Sequence, residues 1–72
     1  MYGEDRIYKK VEIIGVSHTS IEAAVDTAVT KARTSLDKLS WFEVKEIRGH
    51  IGEDGKVVEY QVTIKVAFQV KG

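Results

Sequence analysis

The chain contains no cysteine, and its eleven basic and eleven acidic residues cancel to a formal net charge of zero. Without cysteine, disulfide bonds and thiolate metal sites are excluded. A neutral chain has no surplus of lysine and arginine for phosphates, so we expect no nucleic-acid partner. No apolar run approaches the ~20 residues that cross a bilayer, so we expect no membrane span. The N-terminus lacks the basic-then-apolar order of a signal peptide, which predicts a soluble, cytoplasmic protein.

The length of 72 residues allows one small core. A domain of this size buries only ~60% of the surface that its unfolded chain exposes. Its core contributes a net stability of roughly 3–5 kcal/mol, and small domains usually add disulfides, metals or oligomerisation. Because disulfides are excluded, we expect an oligomer. We predict a single domain over residues 1–72, with the polar residues 1–5 flexible.

Apolar periodicity predicts one strand and one helix in the first half of the chain. Apolar and polar residues alternate over residues 6–14, which is typical of a strand, and Gly15 is expected to end it. Over the next stretch of about 18 residues, ending near Lys38, apolar residues recur at spacings of three and four, which indicates an amphipathic helix. Its N-cap is either Thr19, as part of a capping box, or Ser20.

The second half of the chain predicts a β-hairpin. Strands are expected over residues 41–51 and 56–70, with a turn at residues 52–55. Alternation is clearest in the third strand of the chain. In the second, Val44 and Ile47 cannot share a face if the strand is regular. Either a β-bulge lies between them or both faces are partly buried.

This order of elements predicts an α+β fold, β-α-β-β, in which a three-stranded antiparallel sheet half-wraps one amphipathic helix. The length and apolar face of the third strand favour a central position between the other two strands. One helix covers only one face of a sheet. The free edges and the other face therefore favour burial by further subunits.

Trp41 is the only tryptophan, and it stands at the entrance of the second strand. Two interpretations are open: the indole packs against the end of the helix, or its flat face receives a planar ligand. By strand parity, Phe42 and Val44 share the opposite face. Phe42 is therefore the better core residue, and we predict that Trp41 points outward.

Gln61 is a polar residue in the middle of the clearest strand. It is either a solvated outer-face residue or a ligand contact, since its amide can both donate and accept hydrogen bonds. A hairpin centred on residues 53–54 would set Gln61 opposite Glu46, about 16 Å along the strand from Trp41. A site that uses both residues would then be shared between subunits.

The remaining polar residues give no catalytic pattern. Arg48 is expected either to form a surface ion pair with Glu46 or Glu59, or to meet an anionic ligand, and Lys45 is open to the same two interpretations. The two histidines lack metal-ligand spacing, and no Ser/His/Asp arrangement or phosphate-binding glycine loop is present. We expect neither an enzyme nor a metal site.

Three segments of the chain together resemble the bacterial dodecins: residues 8–13 (YKKVEI), residues 41–50 (WFEVKEIRGH) and residues 60–63 (YQVT). The resemblance extends from about Ile7 to Phe68. Dodecins are small β-α-β-β proteins that assemble into hollow dodecamers and bind flavins, in bacteria mainly flavin mononucleotide (FMN). The resemblance implies a flavoprotein that stores FMN or riboflavin and protects against flavin photochemistry by quenching, with no turnover.

The resemblance also implies roles for individual residues. Trp41 would stack on the isoalloxazine ring, and the amide of Gln61 would meet the pyrimidine edge of the flavin. Arg48 matches an arginine near the ligand, and Lys45 is also predicted to contact the ligand. Some dodecins also bind coenzyme A. Many bacterial members have Gly-Phe-Arg where this chain has AFQ at residues 67–69. We therefore expect the missing arginine to weaken the binding of phosphorylated flavin or coenzyme A more than the binding of the flavin ring itself.

Two further hypotheses remain open. One is an oligomeric structural or interaction module that packs in the same way but has a weakened ligand site. The other is an enzyme that uses bound flavin, although the sequence has no cluster of acid, base and nucleophile that would support it.

Overall fold

The computed structural model describes residues 5–70 of the chain. Its elements are β1 (Ile7–Ser17), α1 (Ile21–Arg33), β2 (Leu39–Ile51) and β3 (Val57–Val70). The strands form one antiparallel sheet in the order β1-β3-β2, and α1 packs against β1 and β3. This confirms the predicted β-α-β-β topology and the central position of β3. The prediction of a flexible start at residues 1–5 falls, apart from Asp5, outside the described residues.

β1 continues through Gly15, so the prediction that this glycine ends the strand was wrong. Gly15 pairs with Val62 of β3. A Cβ added at Gly15 would overlap the carbonyl oxygen of Ala24 and lie 3.0 Å from the Cβ of Ala28. The glycine therefore marks the place where the backbone of α1 lies directly against the sheet.

The N-terminus of α1 is capped by Ser20, one of the two candidates left open by the sequence. Its hydroxyl accepts a hydrogen bond from the backbone N–H of Ala23 at 3.0 Å. The buried residues of the helix are Ala24, Ala28 and Ala32. Because their side chains are small, the helix can approach the strands closely.

α1 has 13 residues and ends at Arg33, earlier than the predicted end near Lys38. The hydroxyl of Thr34 donates to the carbonyl of Lys31 at 2.7 Å, and such local side-chain bonds compete with helix propagation. Lys38 then adopts a positive φ of 58°, which turns the chain into β2. Leu39, the first residue of β2, still packs against the core. The spacing of apolar residues therefore continues beyond the end of the helix, which explains why the predicted helix was too long.

β2 contains a β-bulge, which is one of the two alternatives that the sequence left open. The register with β3 shifts after Val44, and Lys45 has no partner in the pairing. On either side of the bulge, Val44 pairs with Ile64 and Ile47 pairs with Val62, two buried residues that face α1. The extra residue restores Val44 and Ile47 to one face.

The core is too small to cover the sheet. Phe42, Val44 and Ile47 of β2 are 47%, 47% and 54% exposed, because α1 packs over the other two strands. On the opposite face, Ile14 is 64% exposed. The radius of gyration is 15.1 Å, whereas a compact domain of this length has about 11 Å. An elongated subunit with apolar residues exposed on both faces is typical of a protein that assembles.

In the part of the chain that the structure describes, no helix is both long enough and apolar enough to span a membrane.

Candidate functional site

The candidate ligand residues lie on the sheet face away from α1, which we call the outer face. In β3, Val62, Ile64 and Val66 belong to the core, so the alternating residues face outward. On this face, Thr63 is 8% exposed and Ala67 is fully buried. Both lie on the central strand, where side chains of β1 and β2 flank them.

Trp41 lies on the outer face, as its parity with Phe42 predicted. It pairs with Ala67, whereas Phe42 pairs with the core residue Val66. Trp41 is 44% exposed, and its ring centroid is 4.8 Å from that of Tyr8, with 55° between the ring planes. The two rings meet across β3, so Tyr8 supports one side of the indole while nearly half of it remains in solvent.

Tyr8 was missed as a site residue by the sequence reasoning. On the polar face of β1, an aromatic residue among lysines and a glutamate is itself a signal. Only the pairing of both outer strands with β3 shows that Tyr8 and Trp41 are neighbours.

A second link crosses β3 beside the aromatic pair. The Nζ atom of Lys10 donates to both carboxylate oxygens of Glu43, at 2.9 and 3.0 Å. This hydrogen bond is the main reason that the pKa of Glu43 lies below its ordinary value of 4.5, and the charges of Lys65 and Lys45 act in the same direction. The two links hold the ends of β1 and β2 together around Trp41.

Replacing Lys10 with glutamine is expected to raise the pKa of Glu43 toward its ordinary value. Since the folded-state pKa lies below the unfolded one, the ion pair stabilises the fold above pH 4.5, and that contribution disappears as the pH falls through the folded value. A pH titration of the Glu43 carboxyl signal by NMR measures this. Lys9→Gln, which removes the same charge from the opposite face of β1, is the matched control. Equal pKa values of Glu43 in the two variants would contradict the assignment.

Gln61 lies opposite Arg48, so the predicted pairing of Gln61 with Glu46 was wrong; Glu46 pairs with Thr63. The turn is closed by a hydrogen bond from the Gly52 N–H to the Lys56 carbonyl at 2.8 Å. Its centre is therefore Asp54, whereas the expected centre lay between residues 53 and 54. An irregularity at the end of β2, between residues 50 and 51, shifts the register further.

Trp41 and Gln61 are therefore far apart within one subunit. Trp41 pairs with Ala67, six positions from Gln61 along β3, which corresponds to about 20 Å. The bulged Lys45 lies between these two ends of the outer face, and Arg48 lies beside Gln61. The structure brings together Gln61 and Arg48 but not either of them with Trp41.

Arg48 forms no ion pair within residues 5–70, so the predicted surface pair with Glu46 or Glu59 is not present. Its side chain is exposed and can meet an anionic group. Glu59, which the sequence reasoning did not select for the site, instead accepts a hydrogen bond from Nε2 of Gln61 at 2.7 Å. The period of two along β3 was the signal that could have found this neighbour.

The residues on the outer face offer three kinds of contact to a ligand. The half-exposed indole offers an aromatic face, the amide of Gln61 offers hydrogen bonds to a ring edge, and Arg48 offers a positive charge. Within the described residues, no group of three histidine, aspartate or glutamate side chains could hold a metal ion.

Fold and site together define a small α+β domain with an aromatic and polar outer face. The family model for dodecin matches residues 7–71. The dodecin of Thermus thermophilus is 53% identical over 66 residues, covering 92% of this chain and 94% of its own. A crystal structure of a Thermus thermophilus protein has a TM-score of 0.87 at 51% identity, covering 94% of this chain and 98% of that chain. The chain therefore belongs to the dodecin family, and the resemblance found in the sequence is confirmed.

A more distant relative has calcium in its name. Calcium dodecin of Mycobacterium tuberculosis is 35% identical over 65 residues, covering 90% of each chain. Its crystal structure, described as containing a novel calcium-binding site, has a TM-score of 0.78 and covers 90% of this chain and 91% of that one.

Proposed function

We propose that this chain is the subunit of a cytoplasmic homododecamer that stores riboflavin or FMN and quenches its photochemistry without catalysing a reaction. The observation that carries the proposal is the indole of Trp41, which stands half-exposed on the outer face with Tyr8 against one side. A fixed and exposed aromatic face is what a planar ligand needs for stacking.

Stacking explains both storage and protection. One planar ring on one aromatic side chain contributes about 1–3 kcal/mol, by analogy with nucleic-acid bases. An indole in van der Waals contact is also an electron donor to an excited flavin, and electron transfer would remove the excited state before it emits light or reacts. The protein needs no acid, base or nucleophile for this function.

We infer that each flavin is held by residues of more than one subunit. About 20 Å separate Trp41 from Gln61 along β3, which is more than one three-ring system can bridge. The elongated subunit and its half-exposed apolar residues support close packing of several copies. In such an assembly, Trp41 of one subunit can approach Gln61 of another.

Arg48 and Lys45 are proposed to attract the anionic parts of a ligand. The exposed guanidinium of Arg48, free of ion pairs within residues 5–70, supports this proposal. Gln69 stands where many bacterial dodecins have an arginine, so we expect the phosphate of FMN to contribute less to binding here than in those members. Coenzyme A is a second candidate ligand for the same charges.

A fluorescence titration of riboflavin with the protein tests the proposal. We expect the emission to fall nearly to zero at saturating protein and to return on denaturation. Unchanged emission at micromolar protein would reject flavin binding and favour the oligomeric structural or interaction module. Elution as a monomer of 8.1 kDa in gel filtration would reject the assembly.

A shared site predicts complementation between two defective subunits. Trp41→Ala and Gln61→Ala are each expected to bind riboflavin weakly when assembled alone. When the two variants are unfolded, mixed and refolded together, some sites receive an intact residue from each subunit, and tight binding returns in those sites. Mixing the two after separate assembly is the control. If the co-refolded sample binds no better than this control, the site lies within one subunit.

A further inference from the structure

Glu59 and Gln61 form a hydrogen-bonded pair on the outer face of β3. They are two residues apart, so their side chains share a face, and Nε2 of Gln61 donates to Oε2 of Glu59 at 2.7 Å. Both residues are partly buried. Within residues 5–70, neither side chain has another hydrogen bond or an ion pair. The Oε1 atom of Gln61 is thus left without a partner in the described part of the subunit.

The chemistry of the two groups fixes the orientation of the amide. An ionised carboxylate only accepts hydrogen bonds, whereas a primary amide has a donor end and an acceptor end. Nε2 must therefore face Glu59, and Oε1 must face away from it. Without Glu59, the two ends of the amide could exchange by a half-turn about its terminal torsion, which has two broad minima.

The same contact decides which edge of the amide remains free. A primary amide has two edges. One edge presents Oε1 and the N–H hydrogen that is cis to Oε1. The other edge presents only the second N–H hydrogen. A carboxylate at the first edge would lie beside Oε1, and two negative acceptors repel each other. Glu59 is better placed at the second edge. Gln61 then keeps an acceptor and a donor side by side for a ligand.

We propose that Glu59 is a positioning residue that makes the site select planar rings with an imide edge, in which a ring N–H lies between two carbonyl oxygens. Oε1 of Gln61 accepts from the ring N–H, and the free N–H of Nε2 donates to one adjacent carbonyl. The oxidised isoalloxazine ring has this edge. The inference rests on the proposed function and adds a rule of selection: a ring alkylated at the imide nitrogen lacks the required donor.

The test compares riboflavin with 3-methylriboflavin, which carries a methyl group in place of the imide hydrogen. For the wild-type protein, we expect the methylated ligand to bind about 10-fold more weakly or worse, because one hydrogen bond is lost and Oε1 is left unpaired. In Glu59→Gln, the new side chain both donates and accepts, so Gln61 populates both orientations. The preference then falls to about 3-fold or less, mainly through weaker riboflavin binding.

Glu53→Gln is the matched control, because it removes the same charge from the exposed hairpin turn. It is expected to keep the wild-type preference. Tight riboflavin binding with the same preference in both variants would overturn the role of Glu59 and leave the proposed function standing. Failure of the wild-type protein to bind riboflavin would overturn both. If Glu59→Gln does not fold by circular dichroism, Glu59→Ala, which also removes the acceptor, is measured in its place.

Discussion

Replacing Trp41 with alanine is expected to weaken riboflavin binding by about 10- to 100-fold and to restore the fluorescence of the flavin that still binds. The loss in affinity follows from the stacking energy of about 1–3 kcal/mol per ring. The return of emission follows because the electron donor has been removed. Trp41 is 44% exposed and outside the core, so the variant should fold and assemble. Equilibrium dialysis measures the affinity, and the fluorescence lifetime of bound flavin measures the quenching.

Trp41→Phe separates the two effects of the indole. A phenyl ring keeps a flat face for stacking but is a much poorer electron donor. We therefore expect the affinity to stay within about 5-fold of wild type, because one aromatic face replaces another, while the lifetime of bound flavin lengthens. If Trp41→Ala binds riboflavin as tightly as wild type, the ring of the ligand does not rest on this residue. If Trp41→Phe quenches as fast as wild type, the indole is not the electron donor.

Gly15→Ala is expected to lower the free energy of unfolding by about 3 kcal/mol or more, because overpacking against rigid backbone forces the elements apart. The added methyl group would overlap the carbonyl oxygen of Ala24, which belongs to helical backbone and cannot rotate away. That cost is comparable with the net stability of roughly 3–5 kcal/mol that a core of this size provides. Thermal and urea denaturation followed by circular dichroism measure the loss.

Gly55→Ala is the control for the general effect of replacing a glycine. Gly55 has a φ of 82° and open space around its Cα, so the added methyl group meets no atom but the backbone conformation is strained. We expect a loss of about 1 kcal/mol. Equal destabilisation by the two substitutions would show that the contact between Gly15 and α1 does not limit the stability of the fold.

Much of the fold was predictable because burial patterns are local. The alternation in β3 predicted a central strand with one apolar face, and the structure has that strand in that place. The conflict between Val44 and Ile47 predicted a bulge as one of two alternatives. Parity with Phe42 predicted the outward position of Trp41. Each of these inferences needed only the residues of one segment and the period of its backbone.

The errors arose where position depends on several elements at once. The spacing of apolar residues extended the predicted helix to Lys38, because Leu39 faces the same core from a strand. Gly15 was read as a breaker, since a sequence does not show that the backbone of α1 passes beside it. The cross-strand partner of Gln61 was predicted wrongly because the register of a hairpin depends on the geometry of the turn and on every irregularity between the turn and that residue.

By itself, the sequence determined the order of elements, the faces of β1 and β3 and the dodecin resemblance, and it predicted assembly. These follow from composition and from periods of two and 3.6 residues, which report how a segment divides between core and solvent. Only the tertiary structure decided the pairing of Tyr8 with Trp41, of Gln61 with Arg48, and of Glu59 with the amide of Gln61. The first two join residues distant in sequence. For the third, a period of two shows only that Glu59 and Gln61 share a face, and the hydrogen bond itself depends on side-chain orientation.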